Sequence, residues 1–428
     1  MKKKIIRGLE VALTGLTFAL LMFYGGWTGL ELKEYSINLI FLVIDIAIAD
    51  AISSTIFFTM IVSLTGLVML KGALKKKDGW RSTYQGGKVN AVIPVYKDAE
   101  VMHQSVETLS KSNYDNLEIT VIYEPDDEST ERRTTELESE YDAVNAVESG
   151  NPGSKAKAVN YAIENSDADY YAVFDADEEV DPVFVPAAVS YIEEEDYDIF
   201  QGRRIPKPDG VLEAFCYCER ALFHTTYSLT RYTGFKSPRS SSTVMKKSAW
   251  EEVGGYSDML TEDLDFPHKC YRAGLKVKQA YNYTNRMEAP HSLKDFWGQR
   301  KRWNIGQVQI MDKALSGGFG NNKSIRGAIS TFRSVFGLTI GALLLPLVAK
   351  FLILLLFGFE LIYVPPLMAL SLIPISLSLI DTREGKVQPI LLRGLLSPLV
   401  IIVSGTLIIK SVFEYLFTWN GEWYQVEK

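Results

Sequence analysis

The sequence predicts an α/β domain with a mixed, mostly parallel sheet, set between amino- and carboxyl-terminal helical segments that cross a membrane. Two observations predict it. Between residues 88 and 200 short β-rich runs alternate with helical stretches, the pattern of strands joined by crossover helices. On either side stand apolar runs of membrane-crossing length, while the acidic residues concentrate in the middle.

Residues 11 to 30 carry no charge and span about 30 Å as a helix. Residues 37 to 70, interrupted only by Asp45 and Asp50, are expected to form one tilted helix with an interfacial extension. Further runs lie at roughly 334 to 358, 361 to 380 and 391 to 413, separated by Glu360 and the segment DTREGKVQ. The simple count is five crossings. Lys2, Lys3, Lys4 and Arg7 precede the first, Lys71, Lys75, Lys76 and Lys77 follow the second, and the loop ELKEYS between them is acidic. The positive-inside rule therefore puts the amino terminus and the middle domain in the cytoplasm of a multi-pass protein of the cell membrane. The basic start also fits a signal peptide, but a second crossing follows in place of a small-residue cleavage site, which favours an uncleaved anchor. Five crossings put the tail WNGEWYQVEK outside. The expected organisation is 1–77, a membrane region with two helices; 78–292, the α/β domain; 293–330, amphipathic interfacial helices; and 331–428, a membrane region with about three helices.

The formal net charge of −7 argues against a nucleic-acid partner, which would need a basic face. Cys216, Cys218 and Cys270 form no disulfide or zinc framework.

Within the domain, the first strand is KVNAVIPVY. Pro94 is expected to end regular pairing, leaving Tyr96, Lys97 and Asp98 at the carboxyl end of a strand, where open α/β sheets bind ligands. A helix from Ala99 to Leu109 should follow. The second strand, LEITVIYE, runs into Asp126 and Asp127; one acid could receive the N3 hydrogen of a uracil ring, or the turn could be solvated with Ser129 capping the next helix. Lys155 and Lys157 open a helix, where they oppose its dipole unless an anion waits nearby. The third strand, YYAVF, ends in Asp175, Ala176, Asp177, Glu178 and Glu179. Such crowded carboxylates repel unless a cation neutralises them, and two separated by one residue suit Mg²⁺ or Mn²⁺ held with substrate phosphates. Thr261, Glu262 and Asp263 precede a helix that Gly274 should terminate, and Thr261 could simply cap it. Residues 293 to 313 read as an amphipathic helix, suited to a bilayer surface, or to sending Arg302 and Trp303 into a site.

Taken in order, I-P-V-Y at 93–96, the acids at 126–127, K-A-K-A-V-N at 155–160, D-A-D at 175–177, T-E-D at 261–263 and Q-R-K-R-W at 299–303 resemble the family-2 glycosyltransferases of GT-A (Rossmann-like) fold. The likeness is to their membrane-embedded processive branch, which includes cellulose and hyaluronan synthases. The resemblance implies that Pro94, Tyr96 and Asp126 or Asp127 bind the nucleotide base, that Lys155 holds the nucleotide, and that Asp175 and Asp177 hold ribose and a divalent metal. It also implies catalysis by the Thr261–Glu262–Asp263 motif with Asp263 as general base, and a diphosphate and acceptor end lined by Gln299, Arg300, Arg302 and Trp303. Lys97 where the family often has Asn, E-P-D-D-E-S-T for D-D-G-S, and S-P-R-S-S-S-T for a Gly-rich stretch are departures. The implied activity is inverting transfer from a nucleotide sugar, UDP-linked in preference to GDP-linked, to a growing β-linked glycan exported through the membrane. The alternative is addition of one sugar to a lipid-linked acceptor. An alternative of another class is an export channel or sensor without catalysis, with Asp45 and Asp50 marking a pathway.

Overall fold

The computed structural model describes residues 2–30, 36–39, 42–230, 233–317, 324–358 and 361–421. Its helices are α1 (Lys2–Leu30), α2 (Ile46–Ala73), α3 (His103–Ser110), α4 (Glu128–Glu140), α5 (Lys155–Glu164), α6 (Phe184–Glu194), α7 (Val211–Thr230), α8 (Lys247–Val253), α9 (Glu262–Ala273), α10 (Leu293–Leu315), α11 (Ile325–Gly358), α12 (Val364–Arg383) and α13 (Ser397–Phe417). The strands are β1 (Ser36–Leu39), β2 (Leu42–Asp45), β3 (Val89–Val95), β4 (Leu117–Tyr123), β5 (Val144–Glu148), β6 (Tyr170–Val173), β7 (Ile199–Pro206), β8 (Thr243–Lys246) and β9 (Val277–Met287).

β3 is apolar on both faces because both are covered. Val89, Ala91, Ile93 and Val95 pack toward α3 and α6, while Val92 packs with Ala156 and Val159 of α5, the two-residue alternation of a strand inside a layered α/β core. The seven-stranded sheet runs β5-β4-β3-β6-β8-β7-β9. β5, β4, β3 and β6 pair in parallel, β8 pairs antiparallel with both β6 and β7, and β9 returns parallel to β7. The strand order reverses at β3 and β6, so their carboxyl ends open on the crevice where such sheets bind ligands.

Three expectations from sequence need correction. Pro94 does not end pairing: β3 stays in register with β4 through Val95, opposite Tyr123. The proline is tolerated because β6 pairs only with Val89 to Val92, so the edge beyond needs no donor. Residues 37 to 70 are not one helix, since an antiparallel hairpin of β1 and β2 precedes α2. The helix expected from Ala99 begins only at His103, after a turn closed by the amides of Val101 and Met102 on the Asp98 carbonyl. Most of ELKEYS, Glu360, the side chains of Asp45 and Asp50, and the last seven residues of the tail lie outside the described residues.

Among the described residues, five helices are long and apolar enough to cross a membrane, within 5–23, 54–73, 325–357, 361–383 and 391–417. The last of these, α13, meets α10 near its carboxyl end. Lys301 pairs with Glu414 at 2.9 Å and the Tyr415 hydroxyl donates to Asp312 at 2.8 Å. Just before α13, Arg393 donates to the carbonyls of Pro208 and Gly210 at 2.8 and 2.9 Å.

The sheet is locked to the flanking apolar helices by buried ions. Arg203 of β7 donates from Nη1 to Asp381 of α12 at 2.8 Å and from Nη2 to the other carboxylate oxygen, and the Tyr217 hydroxyl of α7 adds a third bond at 2.6 Å. Asp181, after β6, is gripped by Lys77 below α2 at 3.0 Å and by Lys386 beyond α12. Removing one member of a buried pair strands the other charge. Asp381→Leu is therefore expected to destabilise the protein by about 3–5 kcal/mol, and Arg203→Met/Asp381→Leu to recover most of that, as read by thermal unfolding in lipid nanodiscs.

Candidate active site

One cavity of about 1490 Å³ runs from the ends of β3, β4 and β6 past the start of α9 to α10 and α11. Pro94, Tyr96, Asp126, Lys155, Asp175, Asp177, Thr261, Glu262, Asp263, Gln299, Arg300, Arg302 and Trp303 all line it. Of the candidate residues, Asp127 is not on its wall.

The reason is local. Lys97 turns with φ of +57°, and its amide donates to the Asp127 carboxylate at 2.5 Å. Asp127 also caps α4, accepting from the Thr130 amide at 3.2 Å, the Thr130 hydroxyl at 2.5 Å and the Ser129 hydroxyl at 2.8 Å. Burial alone would raise its pKa, but the four donors outweigh it and hold the carboxyl below its ordinary value. Asp127, not Ser129, is the cap, and its carboxylate is fully engaged. Asp126 remains exposed and accepts from the Tyr96 hydroxyl at 3.3 Å.

At the end of β6 the acids are pinned from behind. The Ser105 hydroxyl sits 2.5 and 2.7 Å from the carbonyl oxygens of Asp175 and Glu178. Buried Glu178, which the sequence reading gave no role, accepts from Ser241 at 2.6 Å, Asn285 at 3.0 Å, the Asp175 amide at 3.1 Å, and Ser242. Burial, and then the Asp175 charge, raise its pKa against the pull of the serines. Lys155 at the start of α5 pairs with Asp175 and donates to the Ser240 carbonyl at 2.9 Å. Burial disfavours its charge, yet Asp175, Glu262 and Asp263 together keep its pKa above the usual value. The anion that offsets these helix-start lysines thus belongs to the protein. Arg204 approaches the other Asp175 oxygen at 3.4 Å.

Asp175 and Asp177 suit a hard divalent ion in donor chemistry. Both face the cavity, and among the described residues no group of three or more His, Cys, Asp or Glu forms a protein-only cage. Substrate oxygens and water would complete the shell, as Mg²⁺ and Mn²⁺ sites on phosphates allow.

At the start of α9, Glu262 and Asp263 diverge. Glu262 accepts from the Ser240 hydroxyl at 2.7 Å, and burial raises its pKa while Lys155 opposes. The Asp263 side chain is 26% exposed toward the cavity, with Arg239 at 3.5 Å. Thr261 holds the N-cap position but its side chain makes no cap bond. It packs instead on Gly306 of α10, where any Cβ would lie 2.0 Å from its hydroxyl oxygen. That close approach brings T-E-D against Q-R-K-R-W.

On α10, Arg300 points away from the acids. It donates to Glu219 of α7 at 2.8 and 2.5 Å and stacks on Trp303 at 4.6 Å. Its guanidinium is thus held between Glu219 and the Trp303 ring on the cavity wall. Arg302 faces the acids: burial lowers its pKa, while Glu262, Asp263 and Asp175 oppose that. Sequence reasoning missed Arg204, Arg239, Glu219 and the Ser240–Ser242 run. The serines were visible only as the departure S-P-R-S-S-S-T, and their partner Glu178 lies far upstream.

Residues 87–306, just over half of the chain, match the family described as Glycosyltransferase like family 2. Over 240 residues the chain is 25% identical to "Probable glycosyltransferase YdaM" of Bacillus subtilis, covering 54% of this chain and 57% of that protein. Over 231 residues it is 25% identical to the poly-beta-1,6-N-acetyl-D-glucosamine synthase of Staphylococcus aureus, covering 52% and 55%. The match thus spans little more than half the length of these relatives. A solved structure, mannosyltransferase PcManGT of Pyrobaculum calidifontis with GDP-Man and Mn²⁺, superposes with a TM-score of 0.53 at 16% identity, over 83% of this chain and 98% of that one.

The two neighbouring aspartates should separate by experiment. Asp127→Ala loses a helix cap, costing about 0.5–2 kcal/mol of stability in thermal unfolding. Asp126→Ala should leave stability within about 0.5 kcal/mol and weaken nucleotide binding in calorimetric titration.

Proposed function

This chain belongs to glycosyltransferase family 2 and has the GT-A fold, and we propose that it transfers a sugar, with inversion, from a UDP-linked donor to a growing β-linked glycan at a membrane. One observation carries the reading. Groups suited to base, diphosphate, metal and acceptor, drawn from six elements spread over 200 residues of sequence, share one cavity.

Tyr96 and Asp126 border the nucleotide base, with Asp126 accepting the ring N–H. Lys155, Arg204 and Arg302 set cations where the diphosphate lies, so charge growing on the leaving group meets fixed partners that need no reorganisation. A divalent ion held by Asp175 and Asp177 would add further charge neutralisation to the diphosphate. Asp263 accepts the proton of the acceptor hydroxyl as its oxygen bonds to the anomeric carbon. The bond to the diphosphate breaks on the opposite face, and the electron pair leaves with the nucleoside diphosphate. An α-linked donor thus yields a β-linked product. Trp303, braced by Arg300 beneath it and by Arg220 at 5.3 Å, offers a flat apolar wall for the acceptor sugar.

The membrane arrangement belongs to the same reading. α10 bears Lys294, Asp295, Arg300, Arg302 and Asp312 along its length, which suits a membrane surface and not a crossing. Since α13 is tied to the catalytic domain and α10 at both ends, by Arg393 on the Pro208 and Gly210 carbonyls and by Tyr415 on Asp312, we place both of its ends on the domain's side of the membrane. Four helices then cross, and the tail returns to the cytoplasmic side with the catalytic domain, in place of the outside position that five crossings imply.

Purified protein incubated with UDP-glucose, UDP-N-acetylglucosamine and GDP-mannose should release nucleotide diphosphate with one of them in the presence of Mg²⁺ or Mn²⁺. Asp263→Asn should lower that turnover by about 10²–10⁴-fold; wild-type turnover by the variant would remove Asp263 from the mechanism. For the topology, Asn420→Cys and Asp167→Cys should react with a membrane-impermeant maleimide from the same side of sealed vesicles, and labelling from opposite sides would restore the fifth crossing.

A further inference from the structure

The catalytic cavity does not stop at Trp303. It continues between α11 and α13, walled by Phe332, Phe336, Ile340 and Leu344 of α11 and by Ile401 and Ile408 of α13. The four α11 residues recur at every fourth position and so share one face of the helix. At 1.5 Å per residue this stripe is about 18 Å long. Phe332, Phe336 and Ile340 are 58%, 42% and 45% exposed, so the wall is apolar surface that the protein leaves open.

The groove is also blind. α11 and α13 meet closely at two glycines: a Cβ on Gly341 would lie 2.5 Å from Ile408 Cδ1, and one on Gly405 2.7 Å from Leu345 Cβ. The deepest α11 residue on the cavity wall is Leu344, and the helix continues to Gly358, about 21 Å farther. Past Gly337 the lining side chains of α11 and α13 are apolar apart from Ser404. A glycan crossing a bilayer needs polar partners for its hydroxyls throughout its path. A hydrocarbon chain needs none, and could slide in from lipid without leaving apolar surroundings. Arg333, stacked on Phe235 at 4.3 Å, lies at the polar end of the groove and lines the same cavity as Arg302 and Trp303.

We propose that the acceptor is an amphiphile, a sugar carried on a hydrocarbon chain, with its tail in the groove between α11 and α13 and its sugar at Asp263 and Trp303. This rests on the glycosyl-transfer reading above and narrows its acceptor.

The test uses the full chain in lipid nanodiscs, the three nucleotide sugars as donors, and dodecyl and methyl β-glucosides as acceptors. Gly337→Phe fills the groove, because a Cβ there meets only the Gln307 amide at 3.7 Å. Wild-type protein should prefer the dodecyl glucoside at least about tenfold, and Gly337→Phe should lower transfer to it at least about tenfold more than it lowers donor hydrolysis. Partition into the bilayer raises use of the long-chain acceptor in both proteins, so the variant isolates the groove. As a second measurement independent of the variant, a dodecyl glucoside with a diazirine at the chain end should label residues 329–344 or 400–408 of the wild type. Equal use of both glucosides, equal loss of transfer and hydrolysis in the variant, or labelling confined to other segments overturns the amphiphilic acceptor while glycosyl transfer stands. Absence of turnover with every donor overturns glycosyl transfer, and the acceptor inference with it.

Discussion

Three carboxylates, Asp175, Asp177 and Glu178, crowd the end of β6, and much of the catalytic domain is arranged around keeping them there. Two like charges 4 Å apart repel by about 4 kcal/mol at an effective dielectric constant of 20, a large fraction of the roughly 5–15 kcal/mol that holds a domain folded. The chain answers with different devices. Glu178 is buried behind Ser241, Ser242 and Asn285, which donate to its carboxylate. Asp175 is paired with Lys155 and approached by Arg204. Asp177 keeps its place on the cavity wall. The same cations that quiet the acids are those a diphosphate would meet, so one arrangement serves stability and binding.

Much of this was legible in the sequence because strand ends are written plainly. Apolar runs of β-rich residues followed at once by acids fixed β3, β4 and β6 and put Tyr96, Asp126 and Asp175 on one edge of a sheet. What stayed hidden depends on contacts between distant residues. Nothing local distinguishes Asp126 from Asp127; the difference is that the turn at Lys97 gives Asp127 an amide to accept. Likewise Arg300 and Arg302 look alike in Q-R-K-R-W, and only Glu219 on α7 turns one of them into a brace. The serines at 240–242 read as an unexplained departure until Glu178 and Glu262 supplied their partners. Hydropathy registers the apolar composition of α13 and not its neighbours, so its contacts with the charged helix α10 were hidden too.

The long apolar helices and the sheet domain are therefore one device. Arg203–Asp381 and the double grip of Lys77 and Lys386 on Asp181 fix the sheet to α2 and α12, while Thr261 against Gly306 sets the proposed base beside α10. α10 in turn lies on α13, which forms one wall of the apolar groove. A rigid line of contacts thus runs from the acids of β6 to the surface where an acceptor would enter. On this account the choice of acceptor would rest with α10, α11 and α13, and the transfer chemistry with the strand ends.

The central claim is that the β6 acids and their cationic neighbours form a site for a metal-bound nucleoside diphosphate. Calorimetric titration of the purified protein with UDP and GDP, with and without Mn²⁺, tests it most directly. One nucleotide should bind at least about tenfold more tightly with the ion present, and Asp177→Asn should erase that difference. Equal affinity with and without Mn²⁺ in the wild type, or no binding of either nucleotide, would contradict it.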